Sequence, residues 1–177
     1  FLREAAKIGG VYVPSLYRPV YGADGMLTDV ERAEGAPERV TKRIVTDFEH
    51  SYFPENPIVP STEIVHDRVN LELFRGCIRG CRFCQAGWAY RPVRYRSAER
   101  SVGMGIRAVE NTGYQEASLA SLSTSDYPEL PALCDGLLAW FEPRSVSLSL
   151  PSLRADNFSM ELMDKVQRVR KSGLTFA

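Results

Sequence analysis

The sequence lacks several features that would place a protein in a broad class at once. No apolar run approaches the roughly 18 residues that a membrane-spanning helix needs, so we expect no membrane partner. Lysine plus arginine and aspartate plus glutamate both number 22, and the resulting net charge of zero argues against bulk attraction to nucleic acid. Histidine occurs only twice and cysteine four times, which leaves few side chains that favour transition metals. The 177 residues are enough to bury one good core.

Three of the four cysteines lie in one short segment. Cys77, Cys81 and Cys84 are spaced Cys-x3-Cys-x2-Cys, and we call residues 77–84 the cysteine loop. A disulfide would leave one thiol over, and structural zinc commonly uses two pairs of ligands. Iron–sulfur clusters are held by thiolates on short runs of this kind, and three thiolates leave one iron open for chemistry. The spacing favours an iron–sulfur site, with zinc or inert thiols as the alternatives.

The pattern Cys-x3-Cys-x-aromatic-Cys, with Phe83 before the last thiol, resembles the signature of the radical S-adenosylmethionine (SAM) superfamily. The run from Pro54-Glu-Asn-Pro to Phe83-Cys-Gln-Ala-Gly87 is further similar to an uncharacterised subgroup related to methylthiotransferase-like and cobalamin-associated members. The resemblance implies a 4Fe–4S cluster held by the three cysteines, SAM on the open iron, and Phe83 against the adenine.

The same resemblance implies a reaction. A reduced cluster cleaves SAM to a 5′-deoxyadenosyl radical, which abstracts hydrogen from a substrate that the sequence does not identify. Modification of RNA or protein is one candidate reaction. An electron donor such as flavodoxin or ferredoxin is the implied protein partner. Clustered thiols, with no secretion signal in these residues, are typical of a reducing compartment, and we expect a cytoplasmic protein.

The first 63 residues differ in pattern from the rest. We predict a helix over 1–8, a polar loop over 22–35, a strand over 40–48 and a proline-rich extended run after it. We interpret residues 1–63 as the tail of an upstream domain plus a connector, and the chain as part of a longer protein. In the resembled subgroup a cobalamin-binding domain can precede such a connector. Cobalamin is therefore a candidate cofactor through a missing upstream domain, although no Asp-x-His-x-x-Gly signature occurs here.

From residue 64 onward, strands and helices alternate. Val69, Leu71 and Leu73 mark a first strand, and a helix between a Ser97 cap and Gly113 follows the cysteine loop. Further strands are predicted over 116–123, 145–150 and from 174, with helices over 126–143 and 159–171. The alternation predicts an α/β fold with a parallel sheet. The resemblance makes residues 64–177 the N-terminal half of a β/α (TIM-type) barrel.

Ligand sites in such sheets lie at the carboxyl ends of the strands. These ends are the cysteine loop, Ser123-Thr-Ser-Asp126 and Pro151-Ser-Leu-Arg154, and we expect them to face one cavity. The resembled family often binds the SAM amino group through Gly-Gly-Glu, which is absent here. Ser123, Ser125 or Asp126 could replace it, because an ammonium group needs oxygen acceptors. The alternative is that Asp126 caps the next helix.

The third strand supplies two more candidates. The hydroxyl of Ser149 could contact the SAM ribose from the barrel lumen, and Arg154 could bind a carboxylate. The alternative is that small polar side chains merely fill a narrow lumen.

A basic stretch surrounds the cysteines. Between residues 75 and 100 one acidic residue, Glu99, accompanies arginines at 75, 79, 82, 91, 94, 96 and 100, so the local charge is about +6. Arginines interleaved with Trp88, Tyr90 and Tyr95 suit RNA, through phosphate contact and base stacking. They equally suit another anionic substrate or a negatively charged cluster, and the alternative is a solvated or internally paired surface.

The other metal-binding residue types have simpler explanations. Cys134 falls on an apolar helix stripe and is predicted to be a core residue. His50 and His66 are predicted to be ordinary polar residues. Two further functions stay open, a non-catalytic module stapled by iron–sulfur or zinc and an RNA-binding fragment.

Overall fold

The computed structural model describes residues 1–157, 159–171 and 176. The chain forms two compact units, Phe1–Val45 and Thr46–Ala177. The second unit therefore includes the proline-rich run that we assign to the connector. The division at residue 63 into connector and barrel stays a prediction.

The first unit is built on one hairpin. Helix α1 (Leu2–Ala5) is followed by strands β1 (Tyr17–Tyr21) and β2 (Leu27–Arg32), which pair antiparallel. The polar loop predicted over 22–35 is wrong where β2 lies. All six residues of β2 are exposed, so the strand shows none of the apolar alternation that marks a half-buried strand. The strand predicted over 40–48 is also wrong, because those residues form no regular element.

The second unit contains a parallel sheet with the order β3-β6-β7. Its strands are β3 (Val69–Glu72), β6 (Glu116–Ala120) and β7 (Ser147–Ser149), with α3 (Ala98–Thr112) and α4 (Leu130–Phe141) as the crossovers. Helix α5 (Met160–Val166) follows β7. The predicted α/β class with a parallel sheet is confirmed, and the described residues form no closed barrel. Of the strand predicted from 174, residues 174, 175 and 177 lie outside the described residues, while Phe176 forms an isolated parallel bridge with Leu153.

Helix α3 begins and ends where the sequence predicts. The Ser97 hydroxyl accepts a hydrogen bond from the Arg100 amide (3.2 Å), and Gly113 closes the helix at φ 72°. The buried face of the helix includes Met104, Ala108 and Val109, while Val102 and Ile106 are only half-buried. The helix thus contacts the core through Met104 and through small residues such as Ala108.

The core lies between the sheet and the two crossover helices. Its fully buried apolar side chains include Leu71, Leu73, Met104, Leu119, Leu133, Leu137, Phe141 and Leu148. Cys134 lies among them with no exposed surface, which confirms its predicted structural position. Burial raises the pKa of its thiol to about 12, so this cysteine stays protonated at neutral pH.

Three short elements complete the second unit. Strands β4 (Phe74–Arg75) and β5 (Arg94–Tyr95) form a separate two-stranded sheet, and α2 (Gln85–Ala89) lies between them in the chain. Over the described part of the chain, no helix has both the length and the apolar character required to traverse a membrane.

Candidate functional site

The cysteine loop is closed at its base by a pair of strands. Phe74 pairs with Tyr95 and Arg75 pairs with Arg94, so the ends of the segment between β4 and β5 are held together directly after β3. Gly76, at φ +92°, makes this closure possible. A Cβ at Gly76 would lie 2.8 Å from the Tyr90 carbonyl oxygen, so only glycine fits there. All three cysteines of the predicted site are therefore presented on one closed loop.

Aromatic rings support the base of the loop. Phe74 lies 5.2 Å from Tyr95 and 6.2 Å from Tyr127, measured between ring centroids. The buried hydroxyl of Tyr127 donates to the Arg96 carbonyl (2.6 Å). Strands β4 and β5, which close the loop, are thus packed against the core.

Backbone amides already point at two of the sulfurs. The Arg79 amide donates to Cys77 Sγ, and the Gly87 amide donates to Cys84 Sγ, both at 3.4 Å. Cys77 is buried, and the other two thiols of the loop are half-buried. Amide-to-sulfur hydrogen bonds stabilise thiolates and tune the potential of iron–sulfur clusters.

Two of the cysteines flank one glycine. A Cβ at Gly87 would lie 3.8 Å from Cys84 Sγ and 4.0 Å from Cys77 Cβ. Within the described ranges, however, no three side chains of His, Cys, Asp or Glu are grouped closely enough to hold a metal ion. The donor set itself, thiols with amide donors, fits an iron–sulfur cluster.

Phe83, the aromatic residue of the signature, points away from the protein. Its side chain is 92% exposed. The ring is therefore available to a ligand and contributes little to the packing of the core.

Asp126 is held by an arginine of the cysteine loop. The Arg79 guanidinium binds the Asp126 carboxylate with both of its edge nitrogens, with Nε at 2.8 Å from Oδ2. The side chain of Asp126 is only 4% exposed. The residue ends a 3₁₀ turn after β6, while α4 begins at Leu130, so Asp126 does not cap that helix. An ammonium group would have to compete at Asp126 with the guanidinium and with the donors Ser123 and Asn157.

The same contacts set the charge of Asp126. The Arg79 guanidinium, followed by the hydroxyl of Ser123 (2.7 Å) and the amide of Asn157 (3.3 Å), lowers the pKa of Asp126 from 3.8 to about 2. Burial acts in the opposite direction and is outweighed. Asp126 is therefore ionised throughout the physiological pH range.

The loop after β7 joins the same group. The Ser125 hydroxyl accepts from the Arg154 amide (3.2 Å), and the Ser125 carbonyl accepts from the Asn157 side chain (2.9 Å). Arg79 Nη1 lies 3.9 Å from an Asp156 carboxylate oxygen. The structure thus brings the carboxyl ends of β3, β6 and β7 together through Arg79 and Ser125.

Ser149 and Arg154, the other predicted SAM contacts, are placed differently. Ser149 is half-buried in β7, in register with Ser118 of β6. The guanidinium of Arg154 forms a two-point ion pair with Asp156, at 2.9 and 2.7 Å. Arg154 thus binds a carboxylate, but that of its own loop.

Most of the basic stretch is engaged internally. Arg75 binds Glu72 at 2.8 and 3.0 Å, and Arg91 stacks on the Trp88 ring at 4.4 Å. Arg94 donates to the backbone carbonyls of residues 90 and 92. Arg82 is exposed. Internal pairing therefore accounts for much of the positive charge that the sequence concentrates here.

Arg96 is buried and has a structural role. Its side chain is 1% exposed, donates to the Glu72 carbonyl (2.7 Å) and the Ser51 hydroxyl (2.7 Å), and lies 4.1 Å over the Phe48 ring. Next to it, Glu49 accepts from the amide and the hydroxyl of Ser97, both at 2.7 Å. These contacts attach residues 46–53 to the start of α3, and no local sequence pattern marks an arginine for burial.

A cavity lies at the opposite edge of the sheet. It has a volume of about 460 Å³ and is lined by residues at the amino ends of β6 and β7, including Gln115, Ser145 and Ser147, together with Arg168 and Arg170. This cavity is at the amino ends of the strands, away from the cysteine loop.

Comparison with known proteins finds a relative of unassigned activity. No family model matches the chain. A 93-residue stretch is 34% identical to an uncharacterized protein of the archaeon Methanocaldococcus jannaschii, covering 52% of this chain and 20% of that protein. The chain thus spans about a fifth of the length of the relative it matches, and the likeness assigns no activity.

Proposed function

We propose that this chain carries the cluster-binding part of a radical SAM enzyme, within the N-terminal half of a β/α barrel over residues 64–177. One observation supports this most strongly. The Cys-x3-Cys-x2-Cys loop leaves the carboxyl end of a strand in a parallel sheet, is closed at its base by β4 and β5, and has amides directed at two of its sulfurs. Iron–sulfur ligation and the ligand edge of an α/β sheet coincide there.

The residues present suggest a division of roles. Cys77, Cys81 and Cys84 would hold a 4Fe–4S cluster, and the exposed Phe83 ring would lie against the adenine of SAM. When bound, the reduced cluster supplies the electron that cleaves SAM to methionine and a 5′-deoxyadenosyl radical for hydrogen abstraction. An electron donor such as flavodoxin or ferredoxin would reduce it.

The other residues predicted to contact SAM differ in the partners that they already have within the protein. Asp126 and Arg154 each hold an oppositely charged side chain of the protein. Binding of the SAM amino group at Asp126, or of its carboxylate at Arg154, would therefore exchange one ion pair for another. Ser123, Ser125 and Ser149 offer hydroxyls without such an exchange of charge. The substrate class proposed is RNA or protein, and cobalamin would enter through an upstream domain.

The test is electron paramagnetic resonance on the chain after anaerobic reconstitution with iron and sulfide and reduction by dithionite. We expect SAM to change the spectrum of the reduced cluster, because its amino and carboxylate groups bind the open iron. Adenosine, which lacks those two groups, serves as the matched control and should leave the spectrum unchanged. Bound zinc with no iron chromophore, or a cluster that does not respond to SAM, would contradict the proposal.

A further inference from the structure

The cysteine loop is tied to the next strand by one charged pair. Arg79 lies between the first two cysteines of the motif, and its guanidinium binds Asp126, 47 residues further along the chain. Asp126 follows β6, so the pair crosses from one strand end to its neighbour. No other ion pair described here joins the cysteine loop to the turn after β6.

The geometry differs from that of an ordinary surface ion pair. The guanidinium is one-third exposed, but the carboxylate is 4% exposed and also accepts hydrogen bonds from Ser123 and Asn157. Two-point arginine–carboxylate pairs are more directional than single contacts. Removal of Arg79 would leave the buried Asp126 carboxylate without its counter-ion, which is strongly unfavourable.

Arg79 also fixes the backbone beside the sulfurs. Its amide donates to Cys77 Sγ, and its carbonyl accepts from Arg91 Nη2 at 3.0 Å. That carbonyl lies 3.5 Å from the position of a Cβ on Gly87, whose own amide donates to Cys84 Sγ. The position of Arg79 therefore determines the surroundings of two of the three thiols.

We propose that Arg79 and Asp126 form a clamp that positions the cysteine loop against the end of β6. Arg79 is a positioning residue, because its side chain acts on the cysteine loop through Asp126. The importance of the clamp for cluster binding rests on the proposed function, whereas the ordering of the loop does not. The clamp also implies that the Asp126 carboxylate is already bound by the cysteine loop when a ligand approaches.

The test uses the whole chain and four variants. Arg79→Gln and Asp126→Asn break the clamp, and Arg79→Lys keeps one charge contact but not the two-point pair. Arg82→Gln is the matched control, since it removes the same charge from an exposed position of the same loop. Hydrogen exchange of the Arg79 and Gly87 amides is measured without iron, and chelator-driven loss of iron is measured after reconstitution. Exchange in α3 and α4 reports whether each variant is folded.

For the clamp-breaking variants we expect these two amides to exchange about tenfold faster, with α3 and α4 unchanged. Iron should be lost about tenfold faster, as is typical when partners of metal ligands are removed. Arg79→Lys should be intermediate, and Arg82→Gln should match the unmodified chain.

Two failures can be told apart. Equal exchange in Arg79→Gln, Asp126→Asn and Arg82→Gln would overturn the clamp, whether or not iron is bound. If the unmodified chain binds no iron while the loop amides respond as expected, the clamp is supported and the proposed function is the part that fails.

Discussion

The charge of Asp126 affects the stability of the protein in a way that can be measured as a function of pH. Its pKa is about 2 in the folded chain, against 3.8 for an unperturbed aspartate. The folded state therefore binds the proton less tightly than the unfolded state. The Asp126 carboxylate adds to the free energy of unfolding above roughly pH 4, and this contribution is lost as the pH falls towards about 2.

The prediction compares the unmodified chain with Asp126→Asn, whose side chain does not titrate. The difference between their free energies of unfolding in urea should be constant from about pH 5 to 8 and should shrink below roughly pH 4. Other carboxylates titrate in both proteins and cancel in the difference. A difference that does not depend on pH would show that Asp126 is not held as an ionised partner of Arg79.

Phe83 separates ligand binding from folding. Because the ring is 92% exposed, Phe83→Ala should leave the unfolding midpoint unchanged. If the ring is covered by adenine, its loss removes about 1 to 3 kcal/mol, so SAM affinity of the reconstituted protein should fall about tenfold or more. Ile78→Ala, another exposed apolar side chain of the loop, is the control. Equal SAM affinity by calorimetry in Phe83→Ala and the unmodified chain would remove the adenine role.

At the scale of elements, two glycines on the crossover helices should respond oppositely to alanine. A Cβ at Gly136 would lie 2.8 Å from Val102 Cγ2, a branched side chain with little freedom in a helix. A Cβ at Gly103 would meet only the guanidinium end of Arg107, at 3.2 Å. At Gly136 the Val102 side chain has little freedom to move aside, whereas at Gly103 the end of the Arg107 side chain can move.

We expect Gly103→Ala to stabilise the protein by up to about 1 kcal/mol through helix propensity. Gly136→Ala should destabilise it, because overpacking costs about 1 to 3 kcal/mol and outweighs the same gain. Urea unfolding midpoints on the two variants give the signs directly. Stabilisation by both alanines would mean that α3 and α4 approach less closely than the structure has them.

Which elements the sequence predicts depends on how locally they are specified. Helix α3 carries its own start and stop in Ser97 and Gly113, and both were predictable from residue type. Strand β2 carries no such signal, since all its residues face solvent and its pairing with β1 is what makes it a strand. The site shows the same contrast. The spacing of its cysteines is a local pattern and can be recognised in the sequence. The Arg79–Asp126 pair spans 47 residues, and no local pattern predicts that these two side chains meet.

For the molecule as a whole, the contacts of buried Arg96 indicate which residues the second unit needs in order to fold. Its partner Ser51 and the Phe48 ring lie before residue 64, as does Glu49, which binds Ser97. The apolar core and these partners all lie within 46–177.

A chain shortened to residues 46–177 should therefore keep the slow amide exchange of α3 and α4. Shortening to residues 64–177 should cost about 2 kcal/mol or more, because the buried Arg96 guanidinium loses its hydrogen bond to Ser51 and its contact with the Phe48 ring, and keeps only the Glu72 carbonyl. Hydrogen exchange and urea unfolding on the two shortened chains decide this. Equal stability of both would show that residues 46–63 do not belong to the folded unit.

We propose that three thiols of one loop hold an iron–sulfur cluster. The most direct measurement is the iron and sulfide content of four single alanine variants after anaerobic reconstitution, at Cys77, Cys81, Cys84 and Cys134. Each change in the cysteine loop should remove most of the iron, because the two remaining thiolates cannot hold a cubane firmly. Cys134→Ala should keep its iron, since that thiol is buried in the core. Full iron content in the Cys81 variant, or loss of iron in the Cys134 variant, would contradict the account.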